Sequence, residues 1–426
     1  MRLTYYANAC CLMEAEGFRI LTDPWLVDGA FEGAWCHYPP LTVRPEDLAG
    51  VDALYVSHLH PDHCDPQTLQ VFPRDIPILV LDHAPNFLHR VLRQMGFTNL
   101  VPAKDGETAS LGPFRCTVYA PFTTHVFHES KIGNLIDSAV HFEAGGLSVM
   151  NFNDNTPDLA SARRIRERHG RPTVAQVAYN AAGPYPSCFH NLSPDEKREA
   201  AERTLQRNFA HAAGIGRALE PAWHMPFAGA FVLGGGQWRK NEHLGTTPVE
   251  RTARVLRELN PDIPVLLLRE GQSIDLSTGE RSAPYAPIDV AAERAYIAEV
   301  LSGRAYPHEA DPEPDPEALI EGCRSARDKL WARQERFDFF PELEVDFAVG
   351  GRFYSFRMQE PGGRVVDAPP ANGPRIEVRM DPRMLARILD GRAHWNNAEG
   401  GCHIDFVREP DVYIRDFHTM MAFFAA

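Results

Sequence analysis

The most informative stretch of this sequence is Ser57-His58-Leu59-His60-Pro61-Asp62-His63-Cys64-Asp65. It directly follows residues 53–56, a short apolar run of the kind found in buried strands. His58 and His60 are two residues apart, so in an extended segment their side chains project to the same side. Three imidazoles and a carboxylate within six residues suit a borderline transition metal such as zinc or iron, and not calcium or magnesium. The stretch therefore predicts a metal site at the end of a strand.

Strands and helices alternate around this stretch. Apolar runs and turn residues predict strands at residues 19–22, 53–56, 76–81, 114–119, 139–143 and 147–152. Helices are predicted at residues 84–96, at 158–169, and from 194 to about 214, the last beginning at a capping box formed by Ser193 and Glu196. Short strands interleaved with helices in this way favour an α/β core.

The sequence changes character after residue 300. Residues 307–316 are acidic and rich in proline, a composition typical of a stiff, extended segment that is not packed. We therefore expect a catalytic domain over residues 1–300, a linker over 301–318 and a smaller α+β domain over 319–426. Within the last part, the pattern predicts helices at 317–336 and 382–390 and strands near 343–348, 352–357 and 375–379.

Composition and charge exclude several classes of protein. The chain has 426 residues and a formal net charge of −14, which disfavours nonspecific binding to nucleic acid or to anionic lipid. No apolar run approaches the length of a membrane span, and the N-terminus lacks an apolar signal core, so we expect a cytoplasmic protein. None of the eight cysteines forms a C-x-x-C pair, and this predicts reduced, buried thiols.

The spacing His58-x-His60-x-Asp62-His63 resembles the H-x-H-x-D-H motif of the metallo-β-lactamase fold. The resemblance implies an αββα sandwich with one or two metal ions at the sheet edges between its two halves. It also implies ligands farther along the chain. These are Asp154 as a bridging carboxylate, one of His125 and His128, which the sequence does not separate, and His224, with His190 as its competitor.

A closer resemblance is to the CMP-N-acetylneuraminic acid hydroxylases, carried by segments 21–26, 55–60, 225–232 and 269–276 in the same order. Those enzymes are iron-dependent monooxygenases that hydroxylate the N-acyl methyl group of a nucleotide-linked sugar. Their electrons arrive through a Rieske cluster on an N-terminal domain, whose site needs paired C-x-H and C-x-x-H motifs. This sequence runs straight into the metallo-β-lactamase core and has neither motif, so we expect the electrons to come from a separate reductase or ferredoxin.

Two chemistries follow from these resemblances. The first is an iron-dependent oxygenase, with one or two ions, that uses O2 to hydroxylate a small polar metabolite such as a nucleotide-linked or amino sugar. The alternative is a zinc or manganese hydrolase (a lactonase, amidase or phosphodiesterase) that attacks with a metal-bound hydroxide. In both, Asp62, His63 and Asp154 are the expected catalytic residues. A third hypothesis is a metal-binding scaffold without activity.

Three further features leave alternatives open. Arg239 and Lys240 follow a glycine run and could bind a phosphate or carboxylate, or belong to an ordinary surface loop. Tyr179, near a Gly-Pro turn, could line a pocket or belong to the core. Residues 394–397 could cover the active-site side or form a contact within a homodimer.

Overall fold

The structure, a computed structural model, describes residues 1–122, 137–180, 182–369 and 373–425. Its first fifteen strands are β1 (Arg2–Ala7), β2 (Cys10–Ala15), β3 (Phe18–Thr22), β4 (Trp35–Cys36), β5 (Ala53–Tyr55), β6 (Ile78–Leu81), β7 (Leu100–Ala103), β8 (Thr108–Leu111), β9 (Phe114–Tyr119), β10 (Ala139–Ala144), β11 (Leu147–Asn151), β12 (Val174–Ala178), β13 (Trp223–Phe227), β14 (Val232–Leu233) and β15 (Ser273–Asp275). The accompanying helices are α1 (Pro66–Leu69), α2 (Phe87–Gln94), α3 (Leu159–His169), α4 (Pro194–Leu219), α5 (Val249–Leu259) and α6 (Val290–Glu299).

Two mixed sheets form the centre of this part of the chain. One has the strand order β15-β1-β2-β3-β5-β6-β7 and the other the order β13-β12-β11-β10-β9-β8, while β4 and β14 form a separate pair. A buried apolar layer that includes Leu3, Tyr55, Phe142 and Val149 lies between the sheets. Helices α1 and α2 cover the outer face of the first sheet, and α3, α4 and α5 cover that of the second. The predicted αββα sandwich is confirmed.

The direction of the strands decides where functional side chains meet. Strands β3, β5, β6 and β7 run parallel, and so do β11, β12 and β13 in the other sheet. The carboxyl ends of parallel strands lie at one edge of a sheet, and this edge is where α/β proteins commonly bind ligands. Asp23 follows β3, His58 follows β5, and Asp154 follows β11. One edge of the sandwich therefore collects residues from both sheets.

Helix α4 continues beyond its predicted end near Gly214 and stops at Leu219, where Glu220 takes a left-handed conformation with φ of 48°. The glycines of its last turns serve close packing and not helix termination. A Cβ atom on Gly216 would lie 2.8 Å from Nδ1 of His224, and one on Gly214 would lie 3.0 Å from Leu159. Sequence alone cannot separate these two uses of glycine.

The rest of the chain forms a second α+β unit. It contains α7 (Pro316–Phe337), β16 (Glu344–Val349), β17 (Arg352–Arg357), β18 (Arg364–Val366), β19 (Arg375–Arg379), α8 (Pro382–Leu389), α9 (Trp395–Gly400), β20 (Asp405–Glu409) and α10 (Arg415–Met421). Its sheet has the order β18-β17-β16-β19-β20. The core of this unit is continuous with Phe31, Trp35 and Phe231 of the sandwich. The domain boundary near residue 300 stays a prediction.

The expectation that residues 307–316 are extended and unpacked is wrong. A short 3-10 helix spans Pro307–Ala310, and the side chain of His308 is buried. Asp311 accepts hydrogen bonds from Arg387 of α8 and from Arg392. The carboxylate of Asp311 is thus neutralised by arginines that only the tertiary fold brings close.

Two simpler expectations can be compared with the structure. All eight cysteines are free and buried, as predicted. None of the helices in the described ranges combines the length and apolar character needed to cross a lipid bilayer.

Candidate metal centre

The histidine-rich turn leaves β5 and is held in a compact shape by its own backbone. The carbonyl of His60 accepts hydrogen bonds from the amides of His63 (3.0 Å) and Cys64 (2.9 Å). Asp65 then caps α1 by accepting from the amide of Thr68 at 2.9 Å. The turn is therefore short, and the side chains of His58, His60 and His63 stay close together.

One group of donor atoms consists of His58, His60 and Asp154. Nε2 of His58 lies 2.7 Å from Nδ1 of His60 and 3.9 Å from Oδ2 of Asp154. The three donor atoms all lie within 4.8 Å of one another, a geometry that could hold a metal ion. His58 is buried, whereas the side chain of Asp154 is 36% exposed, so the group opens to solvent on the Asp154 side.

A second group shares the carboxylate of Asp154. Nε2 of His63 lies 3.3 Å from Oδ2 of Asp62 and 3.5 Å from Oδ2 of Asp154. Nε2 of His63 and Oδ1 of Asp62 are buried and have no hydrogen-bond partner among the described residues. Buried polar atoms without a partner are costly, and a cation between them would satisfy both. The donor set thus fits one or two ions of the zinc or iron type, with Asp154 able to contact both positions.

Other residues of the sandwich fix the orientation of these donors. Asp23 is fully buried, and its carboxylate accepts from the amide of Ser57 (2.7 Å) and lies 2.9 Å from Nδ1 of His63. Asp137 lies 3.2 Å from Nδ1 of His58. A carboxylate on the far nitrogen of a metal-binding histidine selects the tautomer and holds the ring. Asn8 donates to Oδ2 of Asp62 at 2.7 Å and so holds that carboxylate in turn.

The C-terminal unit contributes a residue to the same cluster. Oδ1 of Asn396, in α9, lies 2.7 Å from Nε2 of His60. With Nε2 donating to this oxygen, Nδ1 of His60 carries the lone pair and faces His58. Trp395, next in the chain, is buried in the core of the C-terminal unit, which anchors the start of α9. Of the alternatives left open for residues 394–397, a position over the candidate site is the one the structure supports.

Charge and burial give the three histidines different protonation states. Burial, together with His63, lowers the pKa of His58 to about 4. Burial, together with His58, lowers the pKa of His60 to about 4. Burial alone would lower the pKa of His63, but Asp62 and Asp154 outweigh it and raise that pKa well above its ordinary value. The first two rings are thus neutral near pH 7, as metal ligands must be, and the third holds a proton where a cation could sit.

Burial and neighbouring charges also shift the pKa values of two carboxylates of the cluster. Burial and the neighbouring charge of Asp154 raise the pKa of Asp137 well above its usual range. Burial alone would raise the pKa of Asp154, but His63, together with His58 and His60, lowers it overall. Asp154 is therefore the anionic centre of the cluster.

The structure does not bring His224 to this cluster. Its ring lies against Gly216 of α4, where both ring nitrogens are buried and find no hydrogen-bond partner in the part of the chain that the structure describes. Met225, next along β13, belongs to the layer between the sheets, so His224 points to the helix-covered face of its strand. The expectation of a ligand at His224 is corrected on this ground.

The remaining predicted ligands are accounted for as follows. Nε2 of His190, the competitor of His224, lies 3.1 Å from Asp405 on a side chain that is 55% exposed, and not among the clustered donors. His125 and His128 lie outside the described residues.

Sequence reasoning missed Asp23, Asp137 and Asn8, and for Asn396 it predicted only that residues 394–397 could cover the site, not the contact with His60. Asp23 had a usable signal, because it directly follows a predicted strand, as His58 does. Asp137 precedes β10 and Asn8 lies in the turn between β1 and β2, and neither position carries a recognisable pattern. Asn396 is 336 residues from its partner His60, so only the folded chain reveals the contact.

Comparison with known proteins agrees with this architecture. Residues 2–180 match the family model described as a beta-lactamase superfamily domain. The matched part of the chain, which contains the histidine-rich turn and Asp154, is thus similar to domains of that superfamily.

Curated relatives and solved structures extend the similarity beyond that domain. The chain is 30% identical over 244 residues to a Mycolicibacterium smegmatis protein whose name describes a Rieske 2Fe-2S iron–sulfur protein, a match covering 54% of this chain and 43% of that one. It is 26% identical over 285 residues to the cytidine monophosphate-N-acetylneuraminic acid hydroxylase of Mus musculus, covering 65% and 47%. Among solved structures, CmlA, a diiron beta-hydroxylase from Streptomyces venezuelae, aligns with a TM-score of 0.45 and 22% identity, covering 63% and 53%. Each match thus spans about half of the related protein.

Proposed function

We propose that this chain, with its beta-lactamase superfamily domain, is an iron-dependent hydroxylase of a small polar metabolite such as a nucleotide-linked or amino sugar. This proposal rests on the two donor groups that share Asp154, in which buried atoms of His63 and Asp62 have no hydrogen-bond partner within the described parts of the chain. The name of the mouse relative, a hydroxylase of a nucleotide-linked sugar, supports the choice of chemistry and of substrate class.

His58, His60 and Asp154 would hold one ion, and Asp62, His63 and Asp154 a second. When bound there, iron supplies the capacity to activate O2 for insertion into a C–H bond of the substrate.

The protein's own residues prepare this site. Asp23 and Asn8 keep the rings and carboxylates in place, which lowers the reorganisation needed when a cation binds. Burial keeps His58 neutral and excludes bulk water from one side of the cluster, while the exposed side of Asp154 leaves an approach for substrate. Because these 426 residues contain no paired Cys-His motif for a Rieske cluster, we propose that electrons come from a partner reductase or ferredoxin.

The metal decides between this proposal and a zinc or manganese hydrolase. We would express the chain in medium containing iron, zinc and manganese at equal concentrations and measure the bound metals by elemental analysis. The expected result is stoichiometric iron, and a change in the optical spectrum when the anaerobically reduced protein meets O2. Stoichiometric zinc or manganese, with no spectral response to O2, would overturn the proposal in favour of hydrolysis.

A matched pair of variants links the metal to the cluster. Asp154→Asn removes the shared anionic charge and should lose most of the bound iron. Asp262→Asn, on an exposed residue of the loop after α5, should retain it. Equal iron content in the two variants would show that the metal binds elsewhere.

A further inference from the structure

A cavity of about 750 Å³ lies at the same edge of the sandwich as the metal cluster. Its walls come from the ends of β12 and β13, from a 3-10 helix over Gly235–His243, and from α6. A volume of this size is typical of sites for small molecules.

Asn8 forms a direct link between the cavity and the cluster. Its Nδ2 donates to Asp62 at 2.7 Å, and its Oδ1 accepts from the amides of Gly229 (2.7 Å) and Ala230 (3.2 Å), which line the cavity. One side chain therefore separates a candidate metal ligand from the cavity wall. Asp154 and the cavity residues after β13 follow strands two positions apart in one sheet, a spacing of about 10 Å.

Two exposed arginines, Arg239 and Arg294, line this cavity. In the described part of the chain neither forms an ion pair within 4.0 Å, although Glu293 interacts with Arg294 at longer range. Arg251 on the neighbouring α5 shows the contrast, since it pairs with Glu202 at 2.5 Å. Of the open alternatives for residues 239 and 240, an anion site therefore applies to Arg239, whereas Lys240 is already paired with Asp405 at 2.6 Å.

Two carboxylates also line the cavity, and one of them, Glu293, interacts electrostatically with Arg294. The other, Glu242, has a side chain that is 75% exposed and lies 3.9 Å from Nε2 of His243. Glu293 is half-buried, and burial together with Glu250 raises its pKa. Neither carboxylate forms an ion pair with Arg239 or Arg294 within 4.0 Å in the described structure.

Flat side chains provide the rest of the surface. The cavity is lined by Tyr38, Tyr179, Phe231 and Trp238, and the guanidinium of Arg239 lies 5.1 Å from the ring centre of Trp238. Tyr179 is only 6% exposed, so its ring forms part of the cavity wall.

We propose that this cavity binds the substrate through a carboxylate or phosphate attached to a ring or other flat group. The anion would meet Arg239 and Arg294, the flat group would stack on Trp238, and the rest of the molecule would extend about 10 Å towards the cluster. The assignment of this ligand as substrate rests on the proposed function, whereas the binding site itself does not.

The test measures the binding of phenyl phosphate to the full chain by isothermal titration calorimetry. Inorganic phosphate and benzyl alcohol are titrated separately, as probes of the anion-binding part and of the aromatic part of the cavity. Phenyl phosphate should bind more tightly than either. The double variant Arg239→Gln and Arg294→Gln should weaken its binding at least about tenfold, because charge-assisted hydrogen bonds are lost. Arg254→Gln, on an exposed arginine of α5 away from the cavity, is the matched control and should bind as the unaltered chain does.

The outcomes separate this inference from the proposed function. Binding that persists in Asp154→Ala and falls in the arginine double variant supports the cavity whatever metal the cluster holds. Binding lost in Asp154→Ala but unchanged in the double variant would place the probe on the metal and overturn the inference. Absence of binding by phenyl phosphate at millimolar concentration would overturn it as well.

Discussion

Two histidines of one turn, His60 and His63, are held in place by opposite ends of the chain. Nδ1 of His63 meets Asp23, which follows a strand of the same sheet and is fully buried. Nε2 of His60 meets Asn396, in a helix of the C-terminal unit. A single local motif is thus completed by one contact inside the sandwich and by another that exists only when the two units are packed together.

The two contacts also differ in the charge of the residue that holds each ring. Asp23 brings a charge and satisfies the backbone amide of Ser57, so it serves both the metal cluster and the fold. Asn396 is neutral and contacts the outer nitrogen of a ring whose inner nitrogen already faces His58. We therefore expect the two halves of the cluster to differ in how strongly their outer partners affect metal binding. Four substitutions, in order of decreasing effect, examine this.

The largest effect is expected for Asp154→Ala, because this carboxylate is common to both donor groups. Metal affinity should fall by more than roughly 100-fold, since even residues that only orient a ligand contribute about 10- to 100-fold. Chelator competition with zinc, and with ferrous iron under anaerobic conditions, measures this directly. A loss confined to one of two binding steps would show that Asp154 is not shared.

Asp23→Asn should have the next largest effect. It keeps the size of the side chain but removes the charge that faces His63 and the second acceptor oxygen, so metal affinity should fall by roughly 10- to 100-fold. The free energy of unfolding of the metal-free protein should also fall, by about 1–3 kcal/mol, because buried hydrogen bonds from Ser57 are weakened.

Denaturant unfolding measures this loss of stability, and chelator titration measures the loss of affinity. Asp52→Asn is a suitable control, since Asp52 accepts from the amide of Arg19 at the exposed end of the same sheet. If Asp23→Asn bound metal as tightly as this control, Asp23 would have no orienting role.

Asn396→Ala should have a smaller, one-sided effect. Without an acceptor on Nε2, His60 is free to change tautomer, so metal affinity at the His58–His60 position should fall by about tenfold while the His63 position is unaffected. The d–d absorption of the cobalt-substituted protein distinguishes the two positions. Asn396→Asp restores an acceptor and should recover most of the affinity, and Asn99→Ala, which removes an exposed hydrogen bond to Asp75, is the control.

Equal loss at both metal positions in Asn396→Ala would indicate a general disturbance of the packing between the two units. In that case the contrast between His60 and His63 would disappear.

His224→Gln should leave metal binding unchanged, because this ring lies beneath α4 and not in the cluster. Its effect should be on the pH dependence of stability. Burial lowers the pKa of His224 from about 6.5 to about 4, so between these values the unfolded state binds more protons and stability rises with pH. The variant should flatten that slope by up to about 1.4 kcal/mol per pH unit.

Unfolding midpoints measured from pH 4 to 7 check this slope. Metal analysis of the same samples checks that metal binding is unchanged. Metal lost from His224→Gln, without loss of folding, would return this histidine to the ligand set.

Much of the candidate site could be predicted because its main donors are neighbours in sequence. His58, His60, Asp62 and His63 lie within six residues, so any compact turn keeps them close. Asp154 was predicted because the resemblance to the metallo-β-lactamase fold implies a bridging carboxylate there, after a predicted strand. His224 failed because β-strand residues alternate between faces, and a shift of one position decides which side of the sheet a ring occupies.

What this sequence determined by itself is an α/β core and the local cluster of donors, because apolar periodicity and short-range spacing depend on residues close together in the chain. The αββα arrangement was implied by the resemblance to the metallo-β-lactamase fold. The tertiary structure alone decided the partners of those donors, namely Asp23, Asp137, Asn8 and Asn396, together with the cavity that Asn8 joins to Asp62. The physical reason is separation along the sequence. The hydrogen bond of 2.7 Å between His60 and Asn396 joins residues 336 positions apart, so it depends on how the intervening chain packs.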